Sequence, residues 1–180
     1  MTDMPSPQMP LRPITEVRPL DRQSTTLIAA MIALFEQGQE AHHLSFPKYF
    51  GPADNRAEIA AYVQGFLKPR NPFRTRTGFA KGLFLGDSLA GYLLYRLRET
   101  NDVFYGRARW NCHVDDIVID EDARGSGGAS ALMTALLAEL QPLGECAVSG
   151  TIWNGNSASQ ALFEKHGFQS LSQSFHKVIS

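Results

Sequence analysis

The sequence predicts an α/β fold, and three observations carry that prediction. Asn111 to Leu140 reads as a strand, a glycine-rich turn and a helix. Ahead of it lie a short strand, two amphipathic helical stretches and an apolar hairpin. Behind it, a second apolar strand and a second short helix repeat the alternation. Strands and helices interleaved in this way point to helices packed on a sheet, not to a bundle or a sandwich.

Four of the ten prolines, at positions 5, 7, 10 and 13, fall in the opening segment, so residues 1–12 read as a flexible tail. Ile14 to Leu20 is a candidate first strand. Asp21 is a plausible N-cap for a helix whose apolar face is Leu27, Ile28, Met31, Ile32, Leu34 and Phe35. Gly38 is expected to stop that helix, leaving Gln39 to Pro52 irregular. A second helix, starting near Asp54, carries Ile59, Tyr62, Val63, Phe66 and Leu67. The run from Lys68 to Arg76 is a basic loop. Phe79 to Leu85 and Leu89 to Arg98 flank Gly86-Asp87-Ser88, a hairpin signal. Glu99 to Trp110 is a polar connection that includes Tyr105.

Val114 to Ile119 is β-branched and apolar apart from Asp115 and Asp116, as suits a central strand. Past the turn, Leu132, Met133, Leu136, Leu137 and Leu140 recur at helical spacing until Pro142 and Gly144. Cys146 to Ile152 reads as a buried strand and Asn156 to His166 as a helix. Phe168 to Leu171 with Phe175 to Ile179 would form a last hairpin. The resulting order is β-α-α-β-β-β-α-β-α-β-β.

Composition sets bounds. A chain of 180 residues suffices for one domain with a real core, and 43% hydrophobic with 19% charged residues is globular usage. A net charge of −1 gives no general pull toward nucleic acid or anionic membrane. No apolar run approaches the roughly 20 residues of a membrane span. The opening MTDMPSPQMP has neither the basic nor the apolar region of a secretory signal. The two cysteines, Cys112 and Cys146, read as free thiols in a reducing compartment. On these grounds the cytoplasm is the expected location. His42 and His43 have no ligand partners at usable spacing, so no metal site is expected.

The turn Arg124-Gly125-Ser126-Gly127-Gly128-Ala129 is the informative part. Each glycine costs about 0.5–1 kcal/mol in helical backbone, so three at a helix start are poor choices for stability alone. Backbone without Cβ atoms, opening onto free N–H groups, suits a phosphate. A P-loop would need Lys after the glycines, and none follows. A dinucleotide fingerprint would need a third glycine where Ser130 stands.

The pattern formed by Arg124, Gly127 and Ala129 resembles the acetyl-CoA loop of the GNAT N-acetyltransferase superfamily, Gln/Arg-x-x-Gly-x-Gly/Ala. A second block runs from Asn156 to Phe168 and is similar to that family's late helix, Asn-x-x-Ala-x-x-Leu-Tyr-Glu-Lys-x-Gly-Phe. Asn156, Leu162, Glu164, Lys165, Gly167 and Phe168 fit in register; Ser159 replaces Ala and Phe163 replaces Tyr. The resemblance is specific from about Asn111 to Phe168. It implies one such domain over residues 13–180, a mixed sheet, and fourth and fifth strands that splay apart. It also implies acetyl-CoA as co-substrate. The backbone of Ile117, Val118 and Ile119 would meet the pantetheine arm. Arg124, Gly125, Ser126, Gly127, Gly128, Ala129 and Ser130 would meet the pyrophosphate, with Asn156 and Phe163 completing the cofactor site. Many relatives are homodimers.

Acetyl transfer to an amine needs the neutral nucleophile. An alkylamine with a pKa of about 10.4 gives up its proton at neutral pH at a cost of about 4–5 kcal/mol. The segment His113-Val114-Asp115-Asp116-Ile117-Val118-Ile119 resembles the Leu-Glu-Asp-Leu-x-Val segment of spermidine/spermine-type N-acetyltransferases. There the Glu at the position of Asp115 is linked to amine binding and deprotonation, which makes Asp115 the expected base. Asp116, of opposite strand parity, reads as structural. Phe163 lacks the hydroxyl that protonates the leaving thiolate in that family; water or Tyr105 substitutes, or the thiolate leaves without an acid. The expected acceptor is a small primary amine, diamine- or polyamine-like. A CoA-binding module without turnover, and an acetyltransferase for protein amino groups, are the alternatives.

Overall fold

The computed structural model describes residues 15–21, 23–67, 77–99 and 108–178. The expected tail, the basic loop at 68–76 and Tyr105 lie outside the described residues. Five strands lie side by side in chain order: β1 (Thr15–Pro19), β2 (Thr77–Leu85), β3 (Ser88–Glu99), β4 (Trp110–Ile119) and β5 (Cys146–Gly150). The first four run antiparallel and β5 joins β4 in parallel, so the sheet is mixed. Gly86, at φ +60°, and Asp87 close the β2–β3 hairpin. Only Gly adopts that conformation at no steric cost.

Helices cover both faces. On one face α1 (Thr25–Ser45) and α2 (Arg56–Leu67) bury Met31, Ile32, Leu34, Ile59 and Val63 against Tyr92, Leu94 and Val118. On the other, α3 (Gly128–Leu140) and α4 (Ser157–Lys165) bury Leu132, Met133, Leu136 and Phe163 against Leu83, Leu93, Cys112 and Val114. Lys81, buried on that second face, pairs with Glu139, which also accepts the Tyr95 hydroxyl.

Three sequence expectations are corrected. First, α1 starts one turn later and runs further. Its N-cap is Ser24, whose Oγ accepts the Leu27 N–H at 3.3 Å, while Asp21 binds the Gln23 N–H. Gly38 does not stop it. A Cβ there would sit 3.3 Å from Val118 Cγ2, so this glycine lets the helix lie close on the sheet, and Gln39 to Ser45 continue it. Second, β5 ends at Gly150 rather than at Ile152 and is half-buried. Third, residues 168–178 contain no strand. Leu171 and Phe175 are 90% and 91% exposed, because the chain turns at Gly167, φ +81°, and leaves the sheet through polar sequence.

β4 is the asymmetric element. Against β3 it pairs from Trp110 to Ile119, but against β5 only Trp110 to Val114 are matched. From Asp115 onward no strand adjoins its other edge among the described residues. The separation begins at Gly150, opposite Val114, where the Phe163 ring fills the space a Cβ would take, at 2.6 Å from its Cζ. Gly150→Ala should therefore destabilise the fold by about 1–3 kcal/mol through overpacking. A urea denaturation midpoint equal to that of the parent would contradict this account of the separation.

Candidate active site

The β4–α3 turn is built from three glycines with different duties. Gly125 and Gly127 have φ of +74° and +87°, and a Cβ on either would meet nothing within 4 Å. Gly127 is the N-cap of α3 and offers no side chain to the helix end. The first intrahelical bond runs from the Ala131 N–H to Gly127 O at 3.0 Å, so the N–H groups of Gly128, Ala129 and Ser130 form the open end. Gly128 differs: a Cβ there would collide with Leu83, so it serves the packing of α3 on β2. Arg124 Nε donates to Ile119 O at 3.2 Å and Ser126 Oγ to Ala123 O at 2.7 Å, which fixes the turn against the end of β4. Asp120 anchors its start, accepting from Gln37 Nε2 on α1 at 3.2 Å.

These features fit a pyrophosphate. The open N-terminus of a 13-residue helix carries unsatisfied donors and the positive end of its dipole. The unpaired half of β4, with Ile117, Val118 and Ile119, leads straight into it. Asn156 is the N-cap of α4, its Oδ1 accepting the Ser159 N–H at 3.0 Å. Phe163 lies in the core, with its ring 4.8 Å from Phe168 in edge contact.

The parity argument for the two aspartates does not survive the register. Leu94 faces Asp116 and Tyr95 faces Val114, so Asp115 is the extra residue of a β-bulge. A bulge re-aims the side chains around it. Both carboxylates reach the face covered by α1 and α2, with different partners. Asp115, whose side chain is 5% exposed, is held by both Nε and Nη2 of Arg96, the first at 2.7 Å. Arg96 lies over the Phe66 ring at 5.9 Å. Asp116 instead accepts the Tyr92 hydroxyl at 2.8 Å.

Burial pushes the Asp116 carboxyl up to about 6, with the Tyr92 hydroxyl and the Ile117 N–H restraining it. Burial, and then the Asp116 charge, hold Tyr92 well above the usual phenol range, so it stays a donor. The Tyr62 hydroxyl is raised by burial and by Asp116, against the opposing pull of Arg96. His113 Nδ1 lies 3.0 Å from Ser149 Oγ across the β4–β5 pairing. Tyr92 and Arg96 escaped the sequence reading, and Tyr62 entered it only as part of an apolar helix face. The available signal was Arg96, a charge set between Tyr95 and Leu97 in the hairpin strand.

On that same face α1 passes Val118, and its last turn meets the loop after β5. His42 stacks on Phe50 at 5.1 Å, and Trp153 packs edge-on against Phe50 at 4.7 Å. Cys112 is buried, which pushes its thiol up to about 12; it and Cys146 are free. Among the described residues no helix is long and apolar enough to cross a membrane. No group of three or more His, Cys, Asp or Glu there could hold a metal ion.

The Bacillus subtilis (strain 168) protein YwnH, provisionally named a phosphinothricin acetyltransferase, is 40% identical over 68 residues, which are 37% of this chain and 42% of the relative. The match thus spans about two fifths of that relative's length. A tetramutant of the BH1408 protein from Bacillus halodurans superimposes with a TM-score of 0.69 at 18% identity, over 91% of this chain and 99% of that one. The aminoglycoside acetyltransferase meta-AAC0020, from an uncultured soil metagenomic sample, does so at 0.63 and 16%, over 92% and 95%. At such identities these two likenesses are of fold. The sequence of residues 35–168, which includes both the glycine turn and the late helix, matches the Acetyltransferase (GNAT) family, and the chain is a member of that enzyme family.

Proposed function

We propose that the chain transfers the acetyl group of acetyl-CoA to a primary amine of a small molecule. The observation that carries this reading is the open N-terminus of α3, set against the unpaired half of β4. Bound there, acetyl-CoA supplies an activated thioester. Gly128, Ala129 and Ser130 hold its pyrophosphate through their N–H groups, and the open spaces at Gly125 and Gly127 admit it. Ile117, Val118 and Ile119 align its pantetheine arm along β4, and Asn156 and Phe163 border it from α4.

The bulge then sets the acid–base chemistry. Arg96 occupies both oxygens of Asp115, which becomes the anchor of the guanidinium. Asp116 accepts the amine proton, directly or through water. Its raised pKa narrows the mismatch with an alkylammonium by about two units, or about 3 kcal/mol. The carboxylates favour a cationic acceptor, and a short diamine is the substrate class we infer, supported by the Val114 to Ile119 resemblance. The names of both YwnH and meta-AAC0020 also refer to small-molecule acetylation. A chain with only two cysteines is consistent with a cytoplasmic setting. The exposed Leu171 and Phe175 support a homodimer, which sedimentation velocity would reveal as twice the 19.9 kDa mass and a monomer alone would refute. Phe163 favours the second reading, a CoA-binding module without turnover. Thiol release over a panel of amines separates the two.

Gly127→Asn tests the cradle. Asn tolerates positive φ, so the fold should persist, while its side chain enters the open space. The acetyl-CoA dissociation constant should rise by roughly tenfold or more, about 1.4 kcal/mol per decade. Calorimetry showing parental affinity would remove the cradle.

The proton acceptor is read from pH profiles. Below about 6 Asp116 is protonated and cannot accept, so the slope of log kcat/KM should steepen by one below that pH. Asp116→Asn should lose this break, and about 10²–10⁴-fold in rate at neutral pH. The Tyr92 hydrogen bond lowers the Asp116 pKa, so Tyr92→Phe should move the break upward. A break that persists in Asp116→Asn and vanishes in Asp115→Asn returns the role to Asp115.

A further inference from the structure

α4 ends in a tightly specified closure. The Phe168 N–H donates to Phe163 O at 3.1 Å and the Gly167 N–H to Glu164 O at 3.0 Å, with Phe168 packed back on Phe163. This is a Schellman ending, and it holds the C-cap residue, His166, in one place. From there Nε2 of His166 lies 3.0 Å from Ser130 Oγ. Ser130 is the third residue of α3 and one of the three with an open N–H. A titratable ring is thus tied to the turn that binds phosphate, in a role the motif comparison leaves unassigned.

We propose that His166 is a positioning residue of the cofactor site: its imidazole takes up a proton as phosphate seats on the first turn of α3. The inference rests on the acetyl-CoA reading above. In the Nδ1–H tautomer of the neutral ring, Nε2 accepts the Ser130 hydroxyl proton, which holds that hydroxyl on the imidazole. Once protonated, Nε2–H donates to Ser130 Oγ instead. The hydroxyl proton is released and swings toward the anion. One proton from solvent therefore reverses one hydrogen bond and adds one donor and one positive charge to the site.

The charged neighbours set the sense of the coupling. On α4 they are Lys165 and Glu164, the latter accepting from Gln160 Nε2 at 2.8 Å. On the α3 side it is the positive helix end. Burial and then Lys165 lower the His166 pKa in the free protein, so the ring is neutral at pH 7. A bound anion opposes both effects and raises it. By linkage, a ligand that raises a pKa binds more tightly in the protonated form.

The test is calorimetry with dephospho-CoA, whose diester-linked phosphates do not titrate between pH 6 and 8.5. Titrations at pH 6.5 in two buffers of different ionisation enthalpy should show net proton uptake on binding, falling toward zero at pH 8.5. The dissociation constant should fall several-fold from pH 8.5 to 6. His166→Gln keeps a side-chain amide for Ser130 and has no titration, so its uptake should vanish and its affinity should be flat with pH. No uptake by the parent, or equal uptake by His166→Gln, overturns the proposal. Absence of any binding heat for dephospho-CoA and CoA alike overturns the cofactor reading beneath it.

Discussion

The structure depends on β4 having two partners for half its length and one for the rest. Backbone N–H and C=O groups are obligatory hydrogen-bonding groups, and a central strand ordinarily satisfies them on both sides. Here Val114 is the last residue matched to β5, and Gly150 is the residue opposite it. Phe163 takes the volume beside Gly150 that a side chain would occupy, so α4 sits where it wedges the end of β5. What remains is an extended backbone edge that ends at Ile119, from which a short turn leads to an uncapped helix start at Gly128. An edge of this kind is costly in a closed core and useful only if a polar, elongated ligand completes it.

The bulge at Asp115 is the second consequence of the same strand. By inserting one residue against β3, it brings two successive carboxylates toward the α1/α2 face, where strict alternation would send them to opposite faces. Two like charges side by side would each oppose ionisation of the other. The structure separates them by environment: Arg96 takes Asp115 as a bidentate pair, while Asp116 receives a neutral phenol. One carboxylate is thereby ion-paired, and burial pushes the other up to about 6.

Much of this was legible in the sequence, and the failures have physical causes. The strand–turn–helix order held because glycine chemistry and helical periodicity are local. The opposite strand parity expected of Asp116 failed because a bulge is set by pairing with β3, and nothing in Val114 to Ile119 announces it. Gly38 misled because a glycine at a helix end and a glycine at a helix–sheet contact look alike until Val118 is placed against it. The last hairpin failed for a related reason. Leu171 and Phe175 have strand-like spacing, but alternation specifies a face only when a partner edge is within reach. Gly128 was grouped with Gly125 and Gly127, yet Leu83 dictates it.

Phe163 bears on which half of the chemistry needs the protein's help. A thiol with a pKa of about 8.5 leaves as thiolate at pH 7 at a cost of about 2 kcal/mol, whereas freeing an amine with a pKa of about 10.4 costs about 4.6 kcal/mol. A proton donor at position 163 would therefore address the smaller barrier and a carboxylate on β4 the larger. The chain keeps two carboxylates there, one with a raised pKa, and gives position 163 to packing against Gly150 and Phe168. A Tyr hydroxyl on a ring so placed would need a hydrogen-bond partner to offset its burial, a cost of about 1–3 kcal/mol if none were found. Exchanging the hydroxyl for better packing thus gives up the less valuable catalytic group, and on this ordering of magnitudes Phe163 weighs less against turnover than loss of a β4 carboxylate would.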